Sequence, residues 1–367
     1  MQPYSTQLIQ EDDIASVIQT LRSPLLTQGH IIEKFEEDLC QFCEVKYALG
    51  FNSATSALYA AYNACNLGGF EAITTPISFV ATSNMLLQNH SMPIFCDIKS
   101  DGNIDENKIS SLITPKTKAI VSIDYGGKSV EVEKIQQIAK NNKLVFISDS
   151  SHSIGGRFNN KRIGSLADAT IFSFHPVKPI TTIEGGALLT NSKDIYEKAK
   201  LIRSHGVLKK HLWCYDVITN GFNFRMNEIQ AALGISQLKK LEEFIQIREE
   251  IACFYDNFFA KNPFFTTLHQ NNIHQSSNHL YPILINPNLF EKKEQIFQKA
   301  LKEKIGIQIH YKPIYQFSYY KDRYPQMFLP QAEYFYNAEI SIPCHQKMNL
   351  QMAKQIAEQL LTIFETL

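Results

Sequence analysis

Charge of neither sign is in excess. Lys plus Arg number 36 and Asp plus Glu number 36, so the formal net charge is zero. Nothing electrostatic therefore selects nucleic acid or an anionic membrane as a partner. Long apolar runs are also missing, and none approaches the ~20 residues that a membrane span needs. Met1-Gln2-Pro3-Tyr4-Ser5 lacks a basic stretch leading into an apolar one. No signal peptide is expected, and a cytoplasmic location is. The seven cysteines are odd in number and scattered. Cys40 and Cys43 form a lone Cys-x-x-Cys inside an amphipathic stretch, with no second pair to build a zinc or redox site. They read as packing residues in a reducing compartment. No Gly-x-Gly-x-x-Gly follows the first strand and no Gly-x-x-x-x-Gly-Lys-Ser/Thr occurs, which argues against nicotinamide and P-loop folds. The eleven histidines show no metal-ligand spacing, and no metal is expected. His274 and His279 read as surface or loop residues.

What is present is an alternation. From about residue 45 to 205, short apolar runs trade places with helical stretches. Tyr47–Phe51, Ala72–Thr75, Pro93–Cys96, Ala119–Ile123, Leu144–Ile147, Ala169–Ser173 and Ala187–Leu189 read as strands. Thr55–Cys65, a stretch from about Phe79, and Val130–Asn142 read as helices. Such a pattern predicts a mainly parallel sheet covered by helices on both faces. After about residue 227 it changes. Glu228–Gln237 and Lys239–Phe259 read as helices, followed by strands near Leu280–Leu284 and Gly306–His310. The expected division is a large domain over residues 1–240, including the N-terminal segment, and a smaller C-terminal α/β domain over residues 241–367.

Ligands of open α/β sheets sit at the carboxyl ends of the strands, and three polar clusters fall there. Asn52-Ser53-Ala54-Thr55-Ser56 follows a strand and opens a helix. Ser53 is either a plain N-cap or part of an anion site made of free backbone N–H groups and small hydroxyls. Asp149 follows the strand Leu144–Ile147, as a turn residue or as a carboxylate facing a ligand. Ser173-Phe174-His175-Pro176-Val177-Lys178-Pro179 follows the next strand. A lysine between two near prolines is fixed in a rigid loop, which suits an amine that traps a carbonyl. In combination they supply a phosphate cradle, a partner for a ring nitrogen and a reactive amine. Pyridoxal 5'-phosphate (PLP) needs those three things.

These segments resemble the DegT/StrS family of nucleotide-sugar aminotransferases over nearly the whole chain. The resemblance is carried by Asn52–Leu58, Ser78–Thr82, Ser148–His152, Ser173–Lys178, Glu184-Gly185-Gly186, Arg203–Gly206 and Gly221–Glu228. It implies the type I PLP-dependent transferase fold, aspartate-aminotransferase-like. It implies that Lys178 bonds PLP covalently, Asp149 meets the pyridine nitrogen, and Phe79 stacks on the ring. Ala54, Thr55 and Ser173 would hold the phosphate. Asn223 would reach the phosphate in the neighbouring subunit's site, which makes an obligate homodimer with shared active sites. Tyr4, Leu25, Leu26, Thr27, Gln308, Ile309, His310 and Tyr311 would line the substrate pocket, to which Ala54, Ser173 and Asn223 also contribute. Arg225 has two readings, as a binder of a substrate phosphate or donor carboxylate and as a dimer contact. Many family members carry Gln where His152 stands, so its contact with the ring or its phenolic oxygen is expected but its chemistry is open.

Within the family, Thr181-Thr182-Ile183-Glu184 and His310–Tyr315 are similar to the branch that serves pseudaminic acid biosynthesis. That branch moves the amino group of L-glutamate to C4 of a UDP-linked 4-keto-6-deoxy-N-acetylhexosamine. Amination at C3, or of a dTDP or GDP sugar, is the alternative within the family. A catalytically silent binding protein is the alternative outside enzymology. The sugar dehydratases of the family replace the lysine with His, which Lys178 argues against.

Overall fold

The computed structural model describes residues 1–268 and 274–367, with His274 described by its backbone alone. A seven-stranded sheet forms the centre. Its strands include β1 (Tyr47–Phe51), β2 (Glu71–Thr74), β3 (Met92–Phe95), β4 (Thr117–Ile123) and β5 (Val145–Asp149). Ala169–Ser173 and Gly186–Thr190 complete it. Across the sheet the order is β1, Gly186–Thr190, Ala169–Ser173, β5, β4, β2, β3. From Ala169–Ser173 to β3 all neighbours are parallel. Gly186–Thr190 is antiparallel to both of its neighbours.

The apolar runs predict this burial on both faces. Ile120 and Phe146 point into one core with Phe35, Leu39 and Ile135. Their neighbours Val121 and Ile147 point into the other with Leu58, Ala61, Tyr62 and Ala199. Successive strand residues face opposite sides, so a strand buried on both must be apolar throughout.

Register then gathers the polar ends of these strands along one edge. Ile123 pairs with Asp149, and Asp149 with Ile171. Ser173 pairs with Gly186, which pairs with Phe51. The reversed strand therefore begins where its neighbours end, and Asp149, Ser173 and the chain leaving Phe51 all face one rim.

The helix Leu241–Phe259 carries the chain out of this body. Its Leu241, Phe244 and Ile245 join the first core. Ile251, Tyr255 and Phe259 join a separate core with Ile283, Ile340 and Ile356. That second body holds an antiparallel sheet of Phe265–Thr267, Tyr281–Ile285 and Glu339–Ile342. The first residues of the chain dock on it: Gln2 pairs with Ile305, and the Cys344 amide donates to the Tyr4 carbonyl.

One expected strand does not form. Gly306–His310 makes only single bridges, Gln2 to Ile305 beside it and Gln308 to Ser341 within it. The Gly306 amide goes to the Gln2 carbonyl and the His310 amide to a Glu339 side-chain oxygen, so no continuous ladder is left. Cys43 is fully buried in the helix His30–Cys43, and burial pushes its thiol up to about 12. Among the described residues, no helix is long and apolar enough to cross a membrane.

Candidate active site

Along the polar rim lies a cavity of about 770 Å³, closed on the far side by the C-terminal body. One wall is the start of the helix Ala54–Ala64. Ser53 caps it, its hydroxyl accepting from the Ser56 amide at 3.1 Å. Helix geometry leaves the amides of Ala54 and Thr55 without partners inside the helix, and both residues line the cavity. Gly186 lets the strand approach this turn. A β-carbon there would stand 2.4 Å from the Ala54 nitrogen, so any side chain would force the cradle apart. Ser173 lines the same corner.

Asp149, the last residue of β5, is buried and its carboxylate is fixed at both oxygens. Thr82 donates its hydroxyl to Oδ2 at 2.6 Å and Ser151 donates to Oδ1 at 2.5 Å. Phe79 stands at the mouth, 62% exposed, with its ring centroid 6.4 Å from that of Tyr311.

Lys178 is buried at 8% exposure. Its loop is clamped: the Lys178 amide donates to the His175 carbonyl, and the Ser5 hydroxyl donates to the Val177 carbonyl at 2.6 Å. Burial holds the Lys178 amine down to about 7, with the Arg248 guanidinium adding to the fall and Asp149 opposing it. A lysine so placed is available as a free amine near neutrality, which a surface lysine is not.

Histidines close the other side. The Gly126 amide donates to His152 Nδ1 at 3.3 Å, so the ring proton sits on Nε2 and is directed at the Tyr311 hydroxyl, 3.1 Å away. Burial, with Lys178 and His310 assisting, holds His152 neutral, well below the usual histidine range. His310 packs its ring 4.9 Å from Tyr4. Its Nδ1 lies 2.8 Å from the Ser341 hydroxyl, which itself donates to Glu339. Ser341 must therefore accept from His310 Nδ1–H, and His310 Nε2 is left as an acceptor. Burial, then Lys178, pushes His310 down to about 3.

The structure thus brings together Tyr4, Ala54, Thr55, Phe79, Asp149, His152, Ser173, Lys178, Gln308, Ile309, His310 and Tyr311. It does not bring Leu25, Leu26, Thr27, Asn223 or Arg225 to this cavity. Leu25 and Leu26 are 55% and 42% exposed, Thr27 and the Asn223 side chain are exposed, and Arg225 is half-buried. Leu26 lies beside the helix that follows Arg225, since its carbonyl accepts from the Glu228 amide. The Asn223 carbonyl accepts from the Asn52 side chain at 3.2 Å.

One expectation is half overturned. His279 lies in a loop, as expected, but not at the surface: it is 1% exposed, lines the cavity, and sets its Nε2 3.3 Å from Lys178 Nζ. It precedes a buried strand, and the loop carrying it docks on Gly126 and Gly127 of the large body. No local pattern marks it. The side chain of His274 lies outside the described residues. Arg248 is another residue without a sequence signal, fully buried and, among the described residues, hydrogen-bonded to no carboxylate. Its guanidinium donates to Gln346, Ser5 and the carbonyls of Asn278, His279 and Cys344.

The chain matches the model of the DegT/DnrJ/EryC1/StrS aminotransferase family over residues 7–361. It is 51% identical to a UDP-4-amino-4,6-dideoxy-N-acetyl-beta-L-altrosamine transaminase of Helicobacter pylori, covering 99% of this chain and 98% of that one. A transaminase of the same name from Campylobacter jejuni is 46% identical, over 99% and 97%. Among solved structures, the Helicobacter pylori aminotransferase PseC superposes with a TM-score of 0.97 at 50% identity, covering 100% of both chains. Spr1654 of Streptococcus pneumoniae, solved in a PLP form, superposes with a TM-score of 0.94 at 28% identity, covering 99% and 98%. A fixed carboxylate, a buried amine held down to about 7 and helix-start amides kept in place by close packing on Gly186 form the donor set that PLP requires. The cofactor is PLP, and the chain belongs to the DegT/DnrJ/EryC1/StrS aminotransferase family.

Proposed function

We propose that this chain moves the amino group of L-glutamate to C4 of a UDP-linked 4-keto-6-deoxy-N-acetylhexosamine. The product would be UDP-4-amino-4,6-dideoxy-N-acetyl-β-L-altrosamine, made in the cytoplasm for pseudaminic acid biosynthesis. The observation that carries the reading is the buried Lys178 amine, held near 7, in a chain 51% identical to a transaminase named for that product.

Lys178 would hold PLP covalently, with Asp149 at the ring nitrogen and Phe79 against the ring face. The Ala54 and Thr55 amides and the Ser173 hydroxyl would hold its phosphate. When bound, PLP supplies the group that carries nitrogen from donor to keto sugar, and a ring that accommodates the electron pair released at the substrate carbon. Lys178 does the proton work: as a free amine it takes the proton from the substrate carbon, and as an ammonium it returns one. The His152 proton orients the Tyr311 hydroxyl, and His310 Nε2 offers an acceptor to a sugar hydroxyl. The large body, through Lys240, supplies the cofactor contacts; the body from Leu241 on supplies His279, His310 and Tyr311.

A panel of nucleotide sugars tests the substrate. The purified protein with L-glutamate should aminate the UDP-linked 4-keto sugar at C4, with dTDP sugars at least about tenfold poorer in kcat/KM, a cost near 1.4 kcal/mol. Full activity on dTDP sugars with none on UDP sugars would reject this substrate and leave the family standing.

The five residues outside the cavity lead to the assembly. Leu25 and Leu26 present exposed apolar side chains and the Asn223 side chain is exposed as well, all outside the cavity of their own chain, which suits delivery into the site of a second copy in a two-fold dimer. Lys178→Ala chains mixed with Asn223→Ala chains should regain activity, up to about half that of the native enzyme per mixed dimer. One of its two sites would take Lys178 from one chain and Asn223 from the other, both intact. Two inactive parents that form mixed dimers without recovering activity would place Asn223 in its own chain's site.

A further inference from the structure

We propose that His279 is a positioning residue for the reaction, which receives the free amine of Lys178 and fixes its direction during proton transfer; this rests on the aminotransferase reading above. His279 Nε2 stands 3.3 Å from Lys178 Nζ. The loop that carries it is built for precision. The Ser277 amide donates to the Gly127 carbonyl, the Leu280 amide to the Gly126 carbonyl, and Arg248 grips the carbonyls of Asn278 and His279. Gly127 has φ +104°, and a β-carbon there would stand 2.3 Å from the Ser277 hydroxyl, so loop and large body fit only with glycine at this point. The His279 ring rests 4.5 Å from the His152 ring. Among the described residues its Nδ1 is buried without a hydrogen-bond partner, and its ring makes one polar contact, at Nε2. Packing alone would be served better by an apolar ring, because an unpartnered buried nitrogen is destabilising.

A lysine amine turns about four side-chain bonds, and proton transfer depends on where its lone pair points. His279 remains neutral, as burial first and Lys178, His152, Arg248 and His310 in addition hold it well below the usual range. It therefore gains and loses no proton itself. Lys178 takes one proton from the substrate carbon to become an ammonium, donates an N–H to His279 Nε2, and returns one proton afterwards.

The test uses His279→Phe, which keeps a ring but no acceptor, and His279→Gln, whose amide reaches the place of Nε2. Exchange of the α-hydrogen of L-glutamate with solvent should slow about 10- to 100-fold in His279→Phe, with glutamate affinity within about twofold, and recover most of its rate in His279→Gln. In cofactor-free full-length protein, the pH midpoint for acylation of Lys178 should fall by about one unit in His279→Phe, because the ammonium loses its acceptor, and return in His279→Gln. The other groups facing that amine are Asp149, Arg248, His152 and His310, and both variants leave them in place. Exchange at the native rate and an unmoved midpoint in His279→Phe would overturn the proposal. So would equal losses in the Phe and Gln variants, or failure of both to fold, which mark a packing role. Lys178→Ala is the control: exchange at the native rate there would remove the aminotransferase reading itself.

Discussion

Lys178→Ala should lower turnover by about 10⁴-fold or more, since it removes both the covalent anchor and the proton carrier. The fold should survive, because the buried amine is held by its loop rather than holding it. The Val177 carbonyl is tied to Ser5 and the Lys178 amide to His175, and neither bond uses the side chain. Reduction of the native enzyme with borohydride should leave PLP on the peptide containing Lys178, and mapping to another lysine would end the assignment. A pH profile gives an independent reading. With the amine held down to about 7, acylation of Lys178 in cofactor-free protein should rise through pH 7 and be complete by about pH 9. Surface lysines should follow only near pH 10.4. The sign follows from burial: loss of hydration penalises the ammonium, so the proton leaves at lower pH. A midpoint near 10 would mean that water reaches the amine and that burial does not tune it.

Lys178 and Asp149 could be found in the sequence because each is a polar residue in a short segment closing an apolar strand. Sheet register does the remainder, since adjacent parallel strands that end together bring their ends together. Asp149 meets Ile123 and Ile171 in the ladder, and the reversed Gly186–Thr190 strand brings the Ser53 helix start beside Ser173. His279 was not legible for the opposite reason. Its position depends on contacts 101 residues apart in sequence, from a body with its own core. Arg248 is hidden in the same way, as the single basic residue of its helix until five partners gather around its guanidinium. Glu339 is similar: it accepts from the His310 amide and from Ser341 only after the second body has folded. The Gly306–His310 segment misled because its apolar alternation is real. Ile305 just before it and Ile307 within it pack on the second core, yet only the Gln308 amide reaches the neighbouring strand, at Ser341, while those of Ile309 and His310 go to side-chain oxygens. A ribbon of Val207–His211 with Cys214–Val217 has no such signal, because Leu208, Trp213, Tyr215 and Val217 are all exposed and no buried face imposes a pattern.

Asp149→Asn should lower turnover by about 10²- to 10³-fold, the usual scale for removing one preorganised electrostatic contact from a closed site. Asparagine has the same shape, and its neighbours can adapt. Thr82 and Ser151 reach the carboxylate through hydroxyls, which can rotate to accept from an amide as readily as they donate to an oxygen. Folding should therefore be preserved, and melting within about 1 kcal/mol of the native protein would show it. What asparagine cannot supply is the negative charge that favours a protonated pyridine nitrogen, a charge-assisted bond about twice as strong as a neutral one. Thr82→Val provides the graded comparison. It removes one neutral hydroxyl donor and leaves the charge, so a loss of about tenfold is expected, near 1.4 kcal/mol. Cofactor retention should fall in the same order, native, then Thr82→Val, then Asp149→Asn, as measured by dialysis and absorbance. Equal losses in the two variants would mean that orientation of the carboxylate, rather than its charge, is what the site uses. A native rate in Asp149→Asn would remove Asp149 from the ring nitrogen altogether.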